Sequence, residues 1–247
     1  MAQEFEQLNQ QANQTAHQTV GPPTGPPAER WAVIVTGGSP LPDGIAALIP
    51  PGSFVIAADS GLDHAIASGI TPDLVVGDLD SVRPEGIAWA RQRNIPFEVY
   101  PADKDLTDTQ IALGAAWTRQ LDHVVLVGGG GDRLDHSISA LTALGHPSLG
   151  ECKMLRAFWG TARVDVLHAP GYWELDLPNG TTFSLLALHG NCERVTLSGA
   201  RWPLRDALIE PASSLGVSNI ADETLRLSVG AGVLTVIIPY FLSGDPQ

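Results

Sequence analysis

Short, almost continuous runs of apolar residues alternate with longer mixed segments over the first part of the chain. Residues 31–38 (WAVIVTGG) run from Trp31 into paired glycines, residues 53–61 (SFVIAADSG) break at Asp59, and residues 72–81 (PDLVVGDLDS) break at Gly77. Branched apolar runs of this length, closed by Gly or Asp, read as buried strands. Two more follow at 97–101 (FEVYP) and 123–131 (HVVLVGGGG). Between them, residues 62–69, 84–94, 107–120 and 134–144 read as helices, the first closed by Gly69 and the second opened by Pro84. Strand and helix alternate at the spacing of βαβ units. This predicts a mainly parallel, Rossmann-like three-layer α/β domain over residues 30–150.

After residue 150 the texture changes. Residues 151–161 read as a linker. Beyond them, 162–168, 172–177, 181–188, 193–198, 223–229 and 232–239 are short strand patterns separated by Gly, Pro or Asn turns, with a helical pattern only at 203–209 (PLRDALI). This predicts an all-β antiparallel sandwich domain over 162–241. Residues 1–29 are Gln/Asn-rich and then Pro/Gly-rich, with little to bury, and read as a disordered tail.

In parallel sheets flanked by helices, ligands bind beyond the C-terminal ends of the strands. The acidic residues of the first half fall there. Asp59 ends the second strand and Asp78 and Asp80 end the third. Asp103, Asp105 and Asp108 follow the fourth, and Asp132 and Asp135 the fifth. By itself the stretch VVGDLDS reads as well as an Asp-rich turn in which Asp80 or Ser81 caps a helix. In an extended chain, however, positions i and i+2 point to one side, so Asp78 and Asp80 would project together. A whole rim of carboxylates is costly unless cations sit there. Mg²⁺ suits such a rim, because it takes carboxylate oxygens and keeps waters or substrate phosphates as its other ligands. Lys104 and Arg133 lie on the same rim. Each could be a solvated surface charge, but beside Gly128–Gly131 and the acids they suit the neutralisation of phosphates. His64 and His136 read as structural, since Mg²⁺ prefers oxygen.

Composition narrows the partners. The chain has 247 residues, with 14 Lys and Arg against 27 Asp and Glu, a formal charge of −13 that argues against nucleic acid and anionic membranes. There is no apolar run of transmembrane length and no signal-peptide pattern, which points to the cytoplasm. Cys152 and Cys192 make neither a disulfide framework nor a cysteine-rich metal site.

Three segments carry a resemblance: AADSGLDHAIASGITPDLVVGDLDSV, YPADKDLTDTQIAL and GGGGDRLDHSISAL. In their order and spacing they resemble the three catalytic motifs of the thiamine pyrophosphokinase (thiamine diphosphokinase) family. GTTFSLLAL, GARWPL and GVSN are similar to elements of that family's thiamine-binding domain. The resemblance spans roughly residues 30–240. The third motif departs from the family pattern, with Asp132 before Arg133 where Gly-Gly-Arg is more usual, and with Ser139 and Ala140 where an Asn often stands.

The resemblance implies transfer of the pyrophosphoryl group of ATP to the hydroxyl of thiamine, giving thiamine diphosphate and AMP. It implies Mg²⁺ on Asp78, Asp80 and Asp105, with Asp59 in support. Either Asp108 or Asp135 would orient or deprotonate the hydroxyl. Lys104, Thr107, Gln110 and Arg133 would hold the nucleotide and its phosphates, and Trp202, Ser218 and Asn219 would border thiamine. Without the resemblance, Trp202 reads as a core or turn residue and Ser218 and Asn219 as caps. It also implies a homodimer in which the thiamine-binding domain of one chain completes the catalytic rim of the other. A pyrophosphokinase acting on a hydroxymethyl pterin would share the rim but has no reason to keep Trp202, Ser218 and Asn219. A haloacid-dehalogenase-type phosphatase would not place Gly77 and Ser81 where they stand. A non-catalytic thiamine or nucleotide sensor has no need of every rim acid.

Overall fold

The computed structural model describes residues 29–131 and 133–243, so residues 1–28 of the expected tail and Asp132 lie outside the described residues. The chain forms two compact units. The first comprises residues up to Gly128 together with Glu151–Lys153, and the second comprises Gly129–Gly150 and everything from Met154 onwards.

The first unit is built on five strands: β1 (Trp31–Val35), β2 (Phe54–Ala58), β3 (Leu74–Gly77), β4 (Phe97–Val99) and β5 (His123–Gly128). All neighbours are parallel, in the spatial order β5-β1-β2-β3-β4. Three helices connect them: α1 (Gly61–Ala67), α2 (Pro84–Gln92) and α3 (Asp108–Thr118). Leu62 of α1 and Ala90 of α2 pack with Ala57 and Val75 on one face of the sheet. The next crossover passes through α3 and returns the chain to the far side of β1. Right-handed connection sends α3 to the opposite face. There, Ile111 to Ala116 are buried on every side, as in a helix enclosed by its domain. The strand order reverses at β1, which fixes the ligand crevice of such sheets at this edge.

Among its described residues the second unit contains one α-helix, α4 (Leu134–Ala143), a 3-10 turn at Pro147–Leu149, and eight strands: β6 (Met154–Trp159), β7 (Ala162–His168), β8 (Gly171–Leu175), β9 (Thr182–Leu186), β10 (Cys192–Ala200), β11 (Leu204–Ile209), β12 (Asn219–Val229) and β13 (Val233–Ile238). Its pairings are antiparallel, β6-β7-β13-β9 on one side and β11-β10 with β8 on the other, with both groups meeting on β12. The two groups enclose one apolar core, in which Phe183, Leu185 and Val236 meet Val195, Leu197 and Leu225. Among the described residues, no helix is long and apolar enough to cross a membrane.

Two expectations are corrected. Residues 203–209 are the strand β11, not a helix. Leu204, Ala207 and Leu208 fit a helical repeat, but β10 supplies backbone partners for an extended chain. Most of the expected linker is β6. Its charged Arg156 breaks the apolar run in sequence, yet donates from Nε to Asp165 of β7 at 2.6 Å, where Arg163 and Trp173 also converge. By contact, the helix at 134–143 groups with the second unit.

Gly61 explains how α1 can start so close to β1. A Cβ there would lie 2.1 Å from the Val35 carbonyl oxygen. Gly61→Ala should therefore push α1 off the sheet and destabilise the protein by about 1–3 kcal/mol, the usual cost of overpacking. Chemical denaturation measures this, and a variant as stable as the parent would refute the close approach.

Candidate active site

Asp59, Asp78 and Asp80 each bring a carboxylate oxygen to within 4.8 Å of the others. Backbone geometry produces this convergence. Ala58 pairs with Val76 in the parallel register, so Asp59 arrives beside Gly77, and its N–H donates to the Val76 carbonyl at 2.8 Å. Gly77 has φ 137°, and a Cβ on it would stand 3.1 Å from Asp59 Cβ and 3.2 Å from Asp108 Oδ1. Only glycine leaves the carboxylates this room. The strand ends at Gly77, so Asp78 and Asp80 do not meet through extended alternation as the sequence suggested. They meet through a turn in which Leu79 takes φ 66° and Asp80 N–H donates to Asp78 Oδ1 at 3.2 Å.

Lys104 is the cation of this cluster. Its Nζ lies 2.8 Å from Asp108 Oδ1 and 3.5 Å from Asp78 Oδ2, with all three side chains mostly buried. The Asp108 contact is a charge contact outside hydrogen-bonding angles, since the same oxygen has no hydrogen-bond partner. Burial opposes the charge on Lys104, but Asp108 and Asp78 outweigh it and raise its pKa. The Asp80 N–H, followed by Lys104, holds Asp78 below the usual carboxylate range. Asp59 is shifted the other way. Burial raises its pKa, and Asp108, Asp78 and Asp80 add repulsion. Its Oδ1 is buried with no hydrogen-bond partner among the described residues. An orphaned buried oxygen facing two further carboxylates is a donor set that fits a hard divalent cation.

Asp105, expected as a metal ligand, is exposed and outside the three-carboxylate group, because its neighbour Lys104 takes the inward position. Asp59, ranked by sequence as a supporting residue, is inside the group. The parallel register beside Gly77 is the signal that would have promoted it. Thr107 and Gln110 form the capping box of α3. Gln110 N–H donates to Thr107 Oγ1 at 3.3 Å, and Thr107 N–H donates to Gln110 Oε1 at 3.1 Å. Their capping fixes Asp108 as the first residue of the helix. Arg133 donates twice to Asp135, at 3.0 and 2.7 Å, and holds this exposed carboxyl well below its usual range. A carboxylate so stabilised is a weak base.

In the second unit, Trp202 is 55% exposed, which excludes a core role. Its backbone is clamped instead. Asn219, 2% exposed, accepts from Trp202 N–H at 3.2 Å and donates to Trp202 O at 2.7 Å, while its oxygen also accepts from Ile220 N–H. Asn219 thus holds the loop that presents the indole, its amide occupied by backbone. Ser218 is exposed at φ 55°, with its N–H donating to Ser184 Oγ at 3.0 Å.

A parallel sheet with helices on both faces and with carboxylates and a lysine at its strand ends belongs to the doubly wound α/β domains that bind ligands at that edge, here joined to an antiparallel β unit. Comparison with known proteins narrows this class. The family model "Thiamin pyrophosphokinase, catalytic domain" matches residues 46–155, and "Thiamin pyrophosphokinase, vitamin B1 binding domain" matches residues 173–234. The chain is 26% identical over 184 residues to thiamine pyrophosphokinase of Bacillus subtilis, covering 74% of this chain and 85% of that protein. The crystal structure of thiamine pyrophosphokinase from Bacillus subtilis superposes with a TM-score of 0.74 at 25% identity, covering 85% of this chain and 99% of the other. A thiamin pyrophosphokinase family protein from Enterococcus faecalis gives 0.70 at 25% identity, covering 85% and 98%. The chain belongs to the thiamine pyrophosphokinase family.

The frustration at Asp59 is testable. A folded-state pKa above the ordinary value of 3.8 means that ionising Asp59 costs stability. The cost is absent below that value and complete once pH exceeds the folded pKa. In the absence of divalent cations, Asp59→Asn should therefore melt higher than the parent at pH 7, and the gain should shrink as pH falls towards 4. Asn tolerates the positive φ of this position, so the backbone survives. The parent's rise in melting temperature on adding Mg²⁺ should be lost. A variant less stable than the parent at pH 7 would show that Asp59 has a stabilising partner.

Proposed function

We propose that the protein is a cytoplasmic thiamine diphosphokinase that transfers the pyrophosphoryl group of ATP to thiamine, using Mg²⁺. The observation that carries this reading is the convergence of Asp59, Asp78 and Asp80 beside Lys104, in a chain of this family. The three carboxylates would hold the cation, which supplies charge neutralisation on the phosphate oxygens when bound. Lys104, already paired with Asp78 and Asp108, adds a further positive charge where phosphates approach. The thiamine hydroxyl oxygen attacks the β-phosphorus, the bond from that phosphorus to the oxygen shared with the α-phosphate breaks, and AMP leaves in line. The hydroxyl proton passes to a carboxylate. Asp108 is our candidate, because it lies at the cluster. Trp202 would stack on the vitamin, whose thiazolium cation favours an aromatic face. The reading includes a homodimer that joins vitamin and nucleotide from different chains.

Incubation with ATP, Mg²⁺ and thiamine should yield AMP and thiamine diphosphate in equal amounts. ADP with thiamine monophosphate would exclude the assignment. A second test addresses recognition. Because Trp202 is exposed, Trp202→Ala should leave the melting curve nearly unchanged. Loss of the stack, worth on the order of 1–3 kcal/mol, should raise the KM for thiamine about tenfold or more and spare that for ATP. Equal KM values in variant and parent would remove Trp202 from the vitamin site.

A further inference from the structure

We infer that Trp159, at the turn between β6 and β7, is a positioning residue for Arg133 and the glycine run before it, and through them for the triphosphate of the substrate. This rests on the reading above that the chain uses a nucleoside triphosphate. Trp159 and Gly160 fall between the segments that the two family models match, residues 46–155 and 173–234.

Burial does little to place α4. Within the helix only Ala140 and Ala143 are buried, while Leu134 and Ile138 are 70% and 54% exposed. Two alanines offer little apolar area, so packing alone anchors the helix weakly. Side-chain hydrogen bonds from the second unit hold it at both ends. At the C-terminal end, His189 Nε2 donates to the Thr142 carbonyl at 2.8 Å and His168 Nε2 to the Leu144 carbonyl at 3.1 Å. The last carbonyls of a helix lack their regular donors, so these imidazoles act as caps. At the N-terminal end, the indole Nε1–H of Trp159 donates to Ser137 Oγ at 3.2 Å.

Ser137 is one hydrogen bond away from Arg133. Its own N–H donates to the Arg133 carbonyl at 3.0 Å and closes the first turn of α4. Trp159 therefore holds the residue that holds Arg133. The same turn also meets the chain ahead of Arg133. A Cβ on Gly130, at φ 74°, would stand 3.7 Å from Trp159 Cδ1 and 3.6 Å from Gly160 N, and one on Gly160 would stand 3.4 Å from the Gly129 carbonyl oxygen. These are contact distances, so the turn at Trp159 and Gly160 packs on the glycine run. Arg133 is exposed, and its hydrogen bonds to Asp135 set the plane of its guanidinium. A charged fork beside glycine backbone suits phosphate oxygens. Its aim depends on the first turn of α4, which one indole of β6 ties down.

Trp159→Phe keeps a ring and removes the donor, and Ser137→Ala removes the acceptor at a position where alanine favours the helix. Each should raise the KM for ATP about fivefold, the loss expected for one neutral hydrogen bond. Tripolyphosphate affinity, read by calorimetry, should fall by the same factor. The double variant should be no worse than either single variant, because both remove the same bond. The KM for thiamine should not move, and the melting temperature should fall by no more than about 4 °C. Unchanged ATP and tripolyphosphate parameters in both single variants would overturn the inference. So would a rise in both KM values with a larger loss of melting temperature, the mark of a merely structural contact. If the parent forms no thiamine diphosphate, the proposed reaction fails, and tripolyphosphate still decides the role of Trp159. A parent that does not bind it, or variants that bind it as the parent does, would then overturn that role.

Discussion

Asp59, Asp78 and Asp80 repel one another, and Asp108 adds a fourth charge beside them. Two unit charges about 5 Å apart repel by roughly 3 kcal/mol at an effective dielectric near 20. One lysine cannot offset four carboxylates. The first unit is organised to hold this arrangement against its own repulsion. The acids stand on the ends of β2 and β3 and on the first turn of α3, elements anchored by the fully buried Ile56, Leu74 and Leu113. Backbone hydrogen bonds, to the Val76 carbonyl from Asp59 and to the Asp78 carboxylate from Asp80, fix the tips. What is left over is an excess of negative charge and an orphaned oxygen, both of which a divalent cation satisfies.

Local backbone strain is part of the same design. Asp59 and Leu79 both have positive φ, a conformation that costs an ordinary side chain some stability and persists only where surroundings enforce it. Here the enforcing elements are visible. Gly77 supplies the space and Gly61 brings α1 against β1 directly after Asp59. The capping box of Thr107 and Gln110 sets the start of α3. Strain, repulsion and glycine placement thus all bear on one cluster a few ångströms wide, which is what separates a site from an acidic surface.

Much of this was legible in the sequence, because strand runs and their closing residues report on local order. The five parallel strands, the acids at their ends and most of the antiparallel strands follow from apolar pattern and turns. What pattern could not supply was pairing. β6 hides behind Arg156, whose charge is neutralised by Asp165 on the neighbouring strand, and β11 mimics a helix because its apolar spacing serves either structure. The inward place of Asp59 over Asp105 depends on register between β2 and β3 and on which way Lys104 turns. Neither is a property of a single segment. Thr107 and Gln110 show the converse. The spacing of a capping box is readable in sequence, as Thr107 and Gln110 three residues apart at the start of α3.

The second unit solves a different problem, that of presenting an aromatic face to water. A tryptophan more than half exposed gains little from burial, and a loose loop would let the indole collapse onto the nearest apolar surface. Asn219 prevents this by spending both ends of its buried amide on the backbone of Trp202, while the core beneath is closed by Ala221 and Phe183. The entropy of ordering the loop is therefore lost during folding, not when a ligand arrives, which is the economy of a preorganised site. The catalytic unit stores electrostatic frustration that a cation would relieve, and this unit stores exposed apolar area that, in the proposed reading, a flat cationic ring would cover. Each leaves one physical deficit at its surface, which a divalent cation and the vitamin of the proposed reaction would fill.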